Sequence, residues 1–280
     1  MLLNPLTFHA PTTLEEARKL YFSLEHARIQ AGGTFLLNAL KLMKRKGAKT
    51  PEHVISLQKV RELNGISAND TEMTIKAMTP ITDLYESPLL KDNFSVFRIV
   101  CRNISTQQIR NMATVGGNMT CRYTWTEMPA VMVALEANMH FVNAEGKEEI
   151  VSAEDFYKNA AKSEHLFTHV TIKRDKNCRL AYRRVKKTQY VDIPLLSLLM
   201  KTTFKGKQFT NTRVAVNNCV AFAQRDKILE DFLNQSQIDA KLPETALDHL
   251  DKNIYDTRSS DYKQYMFRVS IKQAIAELIK

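Results

Sequence analysis

Cysteine is scarce in this sequence, and no two cysteines are close neighbours. The four cysteines are Cys101, Cys121, Cys178 and Cys219, with no Cys-x-x-Cys pair among them. Because such pairs provide the thiolates of iron–sulfur clusters and structural zinc sites, we expect neither kind of site in this chain. Four cysteines can form two disulfides, but a chain of this size without a signal peptide is predicted to be cytoplasmic, with free thiols.

Long apolar runs are also absent. No run reaches the roughly 18 to 20 residues that span a bilayer, because Glu136, His140 or Lys201 interrupts the longest candidates. We therefore expect no direct membrane insertion. The composition is otherwise that of a globular protein, since 44% of the 280 residues are hydrophobic. This length and composition suffice for the packed cores of two modest domains.

Recognisable catalytic and metal-binding motifs are missing as well. The sequence has no Ser-His-Asp ordering, and its seven histidines are dispersed. His165 and His169 are four residues apart, but they fall in a segment predicted as a strand. A metal site there would need helical spacing and a third ligand. We therefore expect no metal site and no residue dedicated to acid–base catalysis.

The basic charge of the chain is mostly scattered. The net charge is +10, and the basic residues cluster only at 41–49 and 183–187. A solvated surface is the simplest explanation of both clusters, although an acidic partner subunit or a diphosphate would use the same charge. A non-enzymatic basic module that binds nucleic acid remains an alternative, but it leaves the glycine pattern described next unexplained.

Glycine is scarce but concentrated. Four of the eight glycines form two adjacent pairs, Gly32-Gly33 and Gly116-Gly117. Paired glycines allow positive φ and let successive N–H groups face an anion without a Cβ in the way. One such pair is most simply a turn between strands. Two pairs, each with a threonine nearby, favour two loops that hold a diphosphate.

Neither glycine pair belongs to a phosphate-binding pattern that works through a following helix. The sequence contains no Gly-x-x-x-x-Gly-Lys-Ser/Thr, and neither segment fits Gly-x-Gly-x-x-Gly. The chain is therefore not expected to be a nucleoside-triphosphatase or an ordinary Rossmann dehydrogenase.

Both glycine segments resemble the flavin-binding loops of a known family. Residues 31–37 read Ala-Gly-Gly-Thr-Phe-Leu-Leu, and residues 109–118 read Ile-Arg-Asn-Met-Ala-Thr-Val-Gly-Gly-Asn. They resemble the FAD-binding (medium) subunit of molybdenum hydroxylases, the family of the flavin subunits or domains of xanthine, carbon monoxide and nicotinate dehydrogenases. The second string is long, ungapped and quite specific, and the resemblance extends over the whole chain.

The resemblance implies an α+β fold in two parts. Residues 1–178 would form an FAD-binding domain of the vanillyl-alcohol-oxidase (PCMH) type, with subdomains at about 1–50 and 51–178. Residues 179–280 would form a small α+β domain like the C-terminal domain of the carbon monoxide dehydrogenase flavoprotein.

Local patterns add specific elements to this outline. Thr-Thr-Leu-Glu-Glu at 12–16 is a capping box that predicts a helix to about residue 24, followed by a short buried strand at 27–31. The basic segment 41–49 is predicted as a loop with a helical start. Other predicted strands are 53–57, 73–77, 140–142, 149–152, 166–172, 195–204 and 212–220, and other predicted helices are 80–90, 130–137, 223–233 and 262–279.

The resemblance also implies which residues contact FAD. In the first loop these are Ile29, Gln30, Ala31, Gly32, Gly33, Thr34, Phe35 and Leu36. Around the second loop they are Ile104, Ala113, Thr114, Gly116, Gly117 and Asn118. Further along the chain they are Glu127, Phe167 and Arg184. Burial in the core also accounts for the apolar members Ile104 and Phe167, and a helix N-terminus also accounts for the acid Glu127.

The chain departs from the family pattern at four positions. Phe35 stands where many relatives have Asp, and Glu127 lies one residue beyond the family's Asp position, which falls on Thr126. Arg184 replaces a Lys in a Tyr-x-Lys motif, and Thr188 stands where an Arg is frequent. Arg keeps the charge of Lys but presents a planar fork, so its contact with a flavin differs.

The implied function is electron transfer through non-covalent FAD. Electrons would leave a substrate in a molybdopterin-binding large subunit, pass the [2Fe-2S] clusters of a small subunit, and leave the FAD for NAD or a quinone. The alternative is a free-standing oxidase of the vanillyl-alcohol-oxidase type, for which the residues after Cys178 are too few to form a substrate domain. A flavin performs the redox chemistry itself, so the chain needs only to bind, orient and tune it.

Overall fold

The computed structural model describes residues 3–121, 123, 125–159, 165–255 and 260–280, and three β-sheets organise this part of the chain. The strands are β1 (Thr7–His9), β2 (Ala27–Gln30), β3 (His53–Ser56), β4 (Ile66–Ala68), β5 (Glu72–Lys76), β6 (Asn138–Val142), β7 (Glu148–Ser152), β8 (Leu166–Lys173), β9 (Arg179–Lys186), β10 (Pro194–Phe204), β11 (Phe209–Asn217) and β12 (Gln224–Arg225).

Short helices connect most of these strands. The α-helices are α1 (Leu14–Ser23), α2 (Leu36–Arg45), α3 (Ile81–Glu86), α4 (Val96–Asn103), α5 (Gln107–Met112), α6 (Val115–Thr120), α7 (Met128–Ala134), α8 (Ala153–Lys158), α9 (Lys227–Gln235), α10 (Leu242–Thr245), α11 (Lys252–Tyr255) and α12 (Asp261–Ile279). Single 3₁₀ turns lie at Arg61–Leu63, Asp92–Ser95 and Ala246–His249. None of the helices described is long and apolar enough to cross a membrane.

The first sheet is parallel and small. Its order is β1-β3-β2, so β3 lies between the two earlier strands and the sheet extends past residue 50. The predicted capping box is present at α1: the Thr13 hydroxyl accepts the N–H of Glu16 at 3.1 Å, and the Glu16 carboxylate accepts the N–H of Thr12 at 2.8 Å. The edge strand β2 leads directly into the first glycine pair.

The second sheet is antiparallel and has the order β4-β5-β8-β6-β7. Alternate residues of its central strands are buried, among them Met73, Ile75 and Val170. They pack with α3, α4, α6 and α7 in one hydrophobic core. This core holds the segment with the second glycine pair in place.

The third sheet, β12-β11-β10-β9, connects two cores. Side chains alternate across a strand, so Leu198 and Val214 enter a core shared with α9 and α12, whereas Leu199 and Ala215 enter the core of the second sheet. Helix α7, whose residues are all buried, packs against β10 and β11. The C-terminal residues therefore rest on the same helix that follows the second glycine pair.

The mixture of helices with parallel and antiparallel sheets confirms the predicted α+β class. Several local predictions were wrong or incomplete. The helix predicted at 223–233 begins at Lys227, and strand β12 occupies Gln224–Arg225. The segment 41–49 is helical through Arg45, because Leu40 buries one face of α2. Strand β2 is partly exposed because it lies at a sheet edge. Residues 183–187, predicted only as a charge cluster, lie mostly in β9, which was missed. The proposed division near residue 178 stays a prediction.

Candidate functional site

The first glycine pair forms a tight turn between β2 and α2. Gly33 has φ of 72°, which a side-chain-bearing residue rarely adopts. Among the described residues, no acceptor is hydrogen-bonded to the N–H groups of Gly32, Gly33 or Thr34. Helix α2 begins at Leu36, so its positive end lies beside these open donors. The predicted turn with open donors is therefore present here, and a helix follows it although the sequence fits neither helix-based phosphate-binding pattern. Anion binding at this turn stays a prediction.

The second glycine pair lies within α6 instead of in a loop. Neither Gly116 nor Gly117 has positive φ, so this part of the prediction was wrong. The Gly116 N–H donates to Ala77 O at 2.8 Å, and the Gly117 N–H donates to the hydroxyl of the N-cap residue Thr114 at 3.1 Å. Both glycine donors are thus bonded to the chain itself. An anion would have to replace these bonds to reach them.

Gly32 lies against residues just before the second pair, and Gly117 lies near Ala31, just before the first pair. A Cβ added to Gly32 would lie 1.9 Å from the carbonyl oxygen of Met112, and one added to Gly117 would lie 3.7 Å from Cβ of Ala31. A Cβ on Gly116 would lie 2.7 Å from Ala77 O. The absence of side chains therefore allows the first turn, α6 and the end of β5 to make close backbone contact.

The remaining residues predicted in the first loop surround the turn. Ile29, Gln30, Ala31, Thr34 and Leu36 are all half-buried. The Gln30 amide nitrogen would lie 3.1 Å from a Cβ at Gly33, so this side chain covers the turn. Ala113, the residue before the Thr114 cap, is also half-buried, and its carbonyl accepts the N–H of Ile81 at 2.8 Å.

Phe35 belongs to an aromatic cluster that the sequence did not reveal. Its ring centroid lies 4.5 Å from that of Tyr123 and 5.9 Å from that of Trp125. Tyr123 and Trp125 are stacked, with centroids 4.2 Å apart and planes 17° from parallel. The aromatic side chain at the family's Asp position thus packs onto the segment that follows α6. The only sequence signal was the spacing Tyr-x-Trp, which has several structural explanations.

Glu127 and Arg184, both predicted to contact a flavin, contact each other. Arg184 Nε lies 2.6 Å from Glu127 Oε1, and the Tyr182 hydroxyl donates to Glu127 Oε2 at 2.7 Å. The side chains of Glu127 and Arg184 are only 4% and 7% exposed. Since Glu127 precedes α7 and both partners lie in β9, this ion pair joins the second sheet's core to the third sheet.

Burial governs the ionisation of this group. It raises the pKa of the Glu127 carboxyl, while the Arg184 guanidinium and the Tyr182 hydroxyl oppose the rise. Burial, together with the neighbouring Glu127 carboxylate, raises the pKa of the Tyr182 phenol well above its ordinary value. Tyr182 therefore stays neutral, and its hydroxyl donates a hydrogen bond to the carboxylate. In the sequence, Tyr182 stands out only as part of the Tyr-x-Arg motif.

The side chain of Asn118 fixes the start of α7. The Asn118 Oδ1 atom accepts the N–H of Met128 at 3.2 Å.

The hairpin between β9 and β10 is closed by Asp192. Its Oδ2 atom accepts the N–H groups of Lys187 and Thr188, at 3.2 and 3.1 Å. Arg184 also donates to the Asp192 carbonyl. The departure at Thr188 thus involves a backbone contact that any residue can make.

Ile104 and Phe167 lie in the hydrophobic core. Ile104 ends α4 and is 8% exposed, and the Phe167 ring centroid lies 5.3 Å from that of Phe141. Their positions fit the packing explanation. A contact of either residue with FAD stays a prediction.

The residues present fit a dinucleotide at the first glycine turn. Open N–H groups and a helix N-terminus suit a diphosphate, and the half-exposed cluster of Phe35, Tyr123 and Trp125 offers flat surfaces for rings. The N–H groups of the second pair are already bonded, so they support the first turn and α6 in this structure.

Sequence comparison adds an independent observation. Residues 4–172 match the pattern of the family described as FAD binding domain in molybdopterin dehydrogenase. The match covers more than half of the chain and includes both glycine pairs.

Individual relatives agree with this match. The glyceraldehyde dehydrogenase medium chain of Sulfolobus acidocaldarius is 26% identical over 207 residues, covering 72% of either chain. The carbon monoxide dehydrogenase medium chain of Afipia carboxidovorans is 35% identical over 161 residues, which are 57% of this chain and 54% of that relative. The second match spans about half the length of that relative.

A solved structure shows the same fold. A chain of carbon monoxide dehydrogenase from Hydrogenophaga pseudoflava aligns with a TM-score of 0.88 at 24% identity, covering 99% of this chain and 98% of the other. At this identity the likeness concerns the fold, and it confirms the predicted architecture from the first strand to the last helix.

Proposed function

Since this chain belongs to the family of FAD-binding domains of molybdopterin dehydrogenases, we propose that it is the FAD-binding, electron-transferring subunit of a molybdenum hydroxylase complex. The observation that carries the proposal is the turn at Gly32-Gly33, whose N–H groups are bonded to no described acceptor and lie at the N-terminus of α2. These donors would bind the FAD diphosphate without a positively charged side chain.

The other residues of the site would position the cofactor. Phe35 and its aromatic partners Tyr123 and Trp125 would pack against one of its rings, and α6 would support the turn from behind. The pair of Glu127 and Arg184 would keep the third sheet in place at the edge of the site. When bound, FAD supplies the chemistry of accepting and donating electrons one or two at a time.

The partners follow from the relatives. Both relatives named above are called medium chains, and the structure of the Hydrogenophaga enzyme is described as lacking the Mo-pyranopterin moiety of its molybdenum cofactor. We therefore propose a molybdopterin-binding large subunit and a small [2Fe-2S] subunit as partners of this chain, with NAD or a quinone as final acceptor. A cytoplasmic location is consistent with the four free cysteines.

The first experiment is the visible spectrum of the purified chain, followed by acid precipitation. Released FAD, or uptake of added FAD by a colourless preparation, supports the proposal. Flavin that remains with the pellet would instead favour a free-standing oxidase with covalent flavin. A colourless protein that takes up no FAD contradicts both flavin functions and leaves the basic binding module as the hypothesis to test by salt-dependent nucleic-acid binding.

A second experiment tests the turn itself. Gly33→Ala places a side chain at φ of 72°, and the matched control Gly206→Ala does so at φ of 60° with no atom within 4 Å of the added Cβ. Both should lose about 1 kcal/mol of stability from backbone strain. We expect FAD affinity to fall at least about tenfold only for Gly33→Ala. Equal affinities in the two variants would exclude this turn as the diphosphate site.

A further inference from the structure

Two histidines and a glutamate meet on the second sheet, away from the glycine pairs. His140 lies opposite His169 across β6 and β8, and Glu148 lies in β7, opposite the residue two positions from His140. Since side chains alternate along a strand, all three belong to one face of the sheet. Ile150 on the same face is 57% exposed, whereas His140 is only 8% exposed, so the cluster lies at the border between the solvent and the interior.

The three side chains converge on one carboxylate oxygen. His140 Nδ1 lies 3.0 Å from Glu148 Oε1, and His169 Nε2 lies 3.9 Å from the same atom. One ligand atom from each residue lies within 4.8 Å of the other two. The imidazole rings are stacked, with centroids 4.0 Å apart and planes 17° from parallel. A modest opening of this stack would bring both nitrogens onto one ion.

Each imidazole is oriented by a hydroxyl on its other nitrogen. His140 Nε2 lies 2.9 Å from Thr171 Oγ1, and His169 Nδ1 lies 2.9 Å from Thr168 Oγ1. When these nitrogens carry the protons and donate to the hydroxyls, the nitrogens nearer Glu148 present their lone pairs. Histidine ligands of metals are held in this way, by a hydrogen bond from the nitrogen that does not bind the ion.

We propose that His140, Glu148 and His169 form a binding site for a single Zn²⁺-type transition-metal dication. Two imidazole nitrogens and one carboxylate oxygen are a donor set that suits Zn²⁺ and Co²⁺ and leaves a coordination position for water. The strand register places Lys76 beside His169, so a dication meets one positive charge there, opposed by the carboxylate. The site does not depend on the proposed FAD function.

The sequence does not reveal this site, because its three residues come from three separate strands. Spacing along one segment offers only the pair His165 and His169, which lacks a third metal ligand. In the structure His165 pairs with Glu149 at 3.1 Å. The two other proposed ligands, which join His169, lie in β6 and β7.

The test is a titration of the full chain, without a histidine tag and stripped with a chelator, with Co²⁺ and Zn²⁺. We expect one equivalent of Co²⁺ to give a visible absorption band, and Zn²⁺ to displace it. Two variants remove one ligand each. His169→Phe keeps the stacked ring but lacks the nitrogen, and Glu148→Gln keeps the shape of a half-exposed side chain but lacks the charge.

We expect each of these two variants to weaken Zn²⁺ binding by at least about 100-fold, because loss of an outer-shell partner alone costs roughly 10- to 100-fold. The matched control His165→Phe makes the same replacement in the neighbouring histidine and should bind Zn²⁺ like the parent chain. Thermal unfolding of each metal-free variant checks that it is folded. Absence of binding by the parent chain, or binding unchanged in His169→Phe and Glu148→Gln, would overturn the proposal.

Discussion

The two Gly-Gly pairs of this chain have similar sequences and different structural roles. At Gly32-Gly33 the N–H groups are open, one φ is positive and a helix begins three residues beyond the pair. At Gly116-Gly117 both residues are helical and both N–H groups are bonded within the chain. The first pair can receive a ligand, and the second supports it from behind.

This difference teaches how a glycine pair should be interpreted. A missing side chain indicates that something approaches the backbone closely, and the approaching group can be a ligand or another segment of the chain. Here Gly32 contacts the backbone of Met112, and Gly116 contacts that of Ala77. The second pair is further fixed through Asn118 and α7 to Glu127, which leads to our first prediction.

The contacts of Glu127 with Arg184 and Tyr182 anchor the segment after the second glycine pair. Breaking this anchor should have the largest effect on stability. Glu127→Ala removes the carboxylate that Arg184 and Tyr182 share, and leaves the Arg184 charge buried without its partner. We expect the free energy of unfolding to fall by about 3–5 kcal/mol, measured by urea denaturation. Glu277→Ala is the control, because its ion pair with Arg183 is half-exposed and should contribute about 1 kcal/mol or less. Similar losses in both variants would refute the anchoring role.

A side chain that pushes the first turn away from Met112 should have the next largest effect on stability. In Gly32→Ala the new Cβ would lie 1.9 Å from Met112 O, so the backbone must move. We expect a loss of about 3 kcal/mol, the upper end for overpacking, together with loss of FAD binding. Gly47→Ala is the control, because its Cβ meets no described atom within 4 Å and its φ of 66° adds only backbone strain of about 1 kcal/mol. A Gly32→Ala chain as stable as Gly47→Ala would mean that Gly32 does not pack against the backbone of Met112.

Much of the local structure was predictable from sequence because its causes are local. The capping box at Thr13, the strand before Gly32 and the family strings at both glycine pairs depend on neighbouring residues. The family assignment from these strings is confirmed. The bonded state of Gly116 was not predictable, because its acceptor, Ala77 O, lies directly after β5, far away in the sequence.

The partners of charged residues were the least predictable feature. Sequence shows that Glu127 and Arg184 carry charge, but not that folding places them 2.6 Å apart. The same limit applies to Phe35, whose ring partners follow α6 in the chain. Long-range contacts depend on how the sheets pack, and a local pattern does not determine that packing. Whether these residues also contact FAD stays a prediction.

The pH dependence of stability should report on the anchor. The pKa of Tyr182 is higher in the folded chain than in the unfolded chain, where it is about 10. The neutral phenol therefore stabilises the fold fully below about pH 10. This contribution is lost as the pH rises from there toward the pKa of the folded chain. Tyr182→Phe should cost about 1.5–3 kcal/mol at pH 8 and show a shallower decline above pH 10. Tyr255, whose pKa is also raised, is present in the parent chain and in Tyr182→Phe, so it does not affect the comparison. Equal slopes in both chains would contradict the buried, neutral phenol.

The smallest effect on stability is expected for a variant in which the second glycine pair comes to resemble the first. Thr114→Ala removes the hydroxyl that accepts the Gly117 N–H, so that donor becomes open like the N–H groups of the first turn. We expect a loss of about 1 kcal/mol, as for other N-caps, and faster hydrogen exchange of the Gly117 amide. Thr106→Ala removes the cap of α5 and should cost a similar amount without affecting Gly117. If the Gly117 amide exchanges as rapidly in the parent chain as in Thr114→Ala, its donor is already open, and the contrast between the two pairs does not hold in solution.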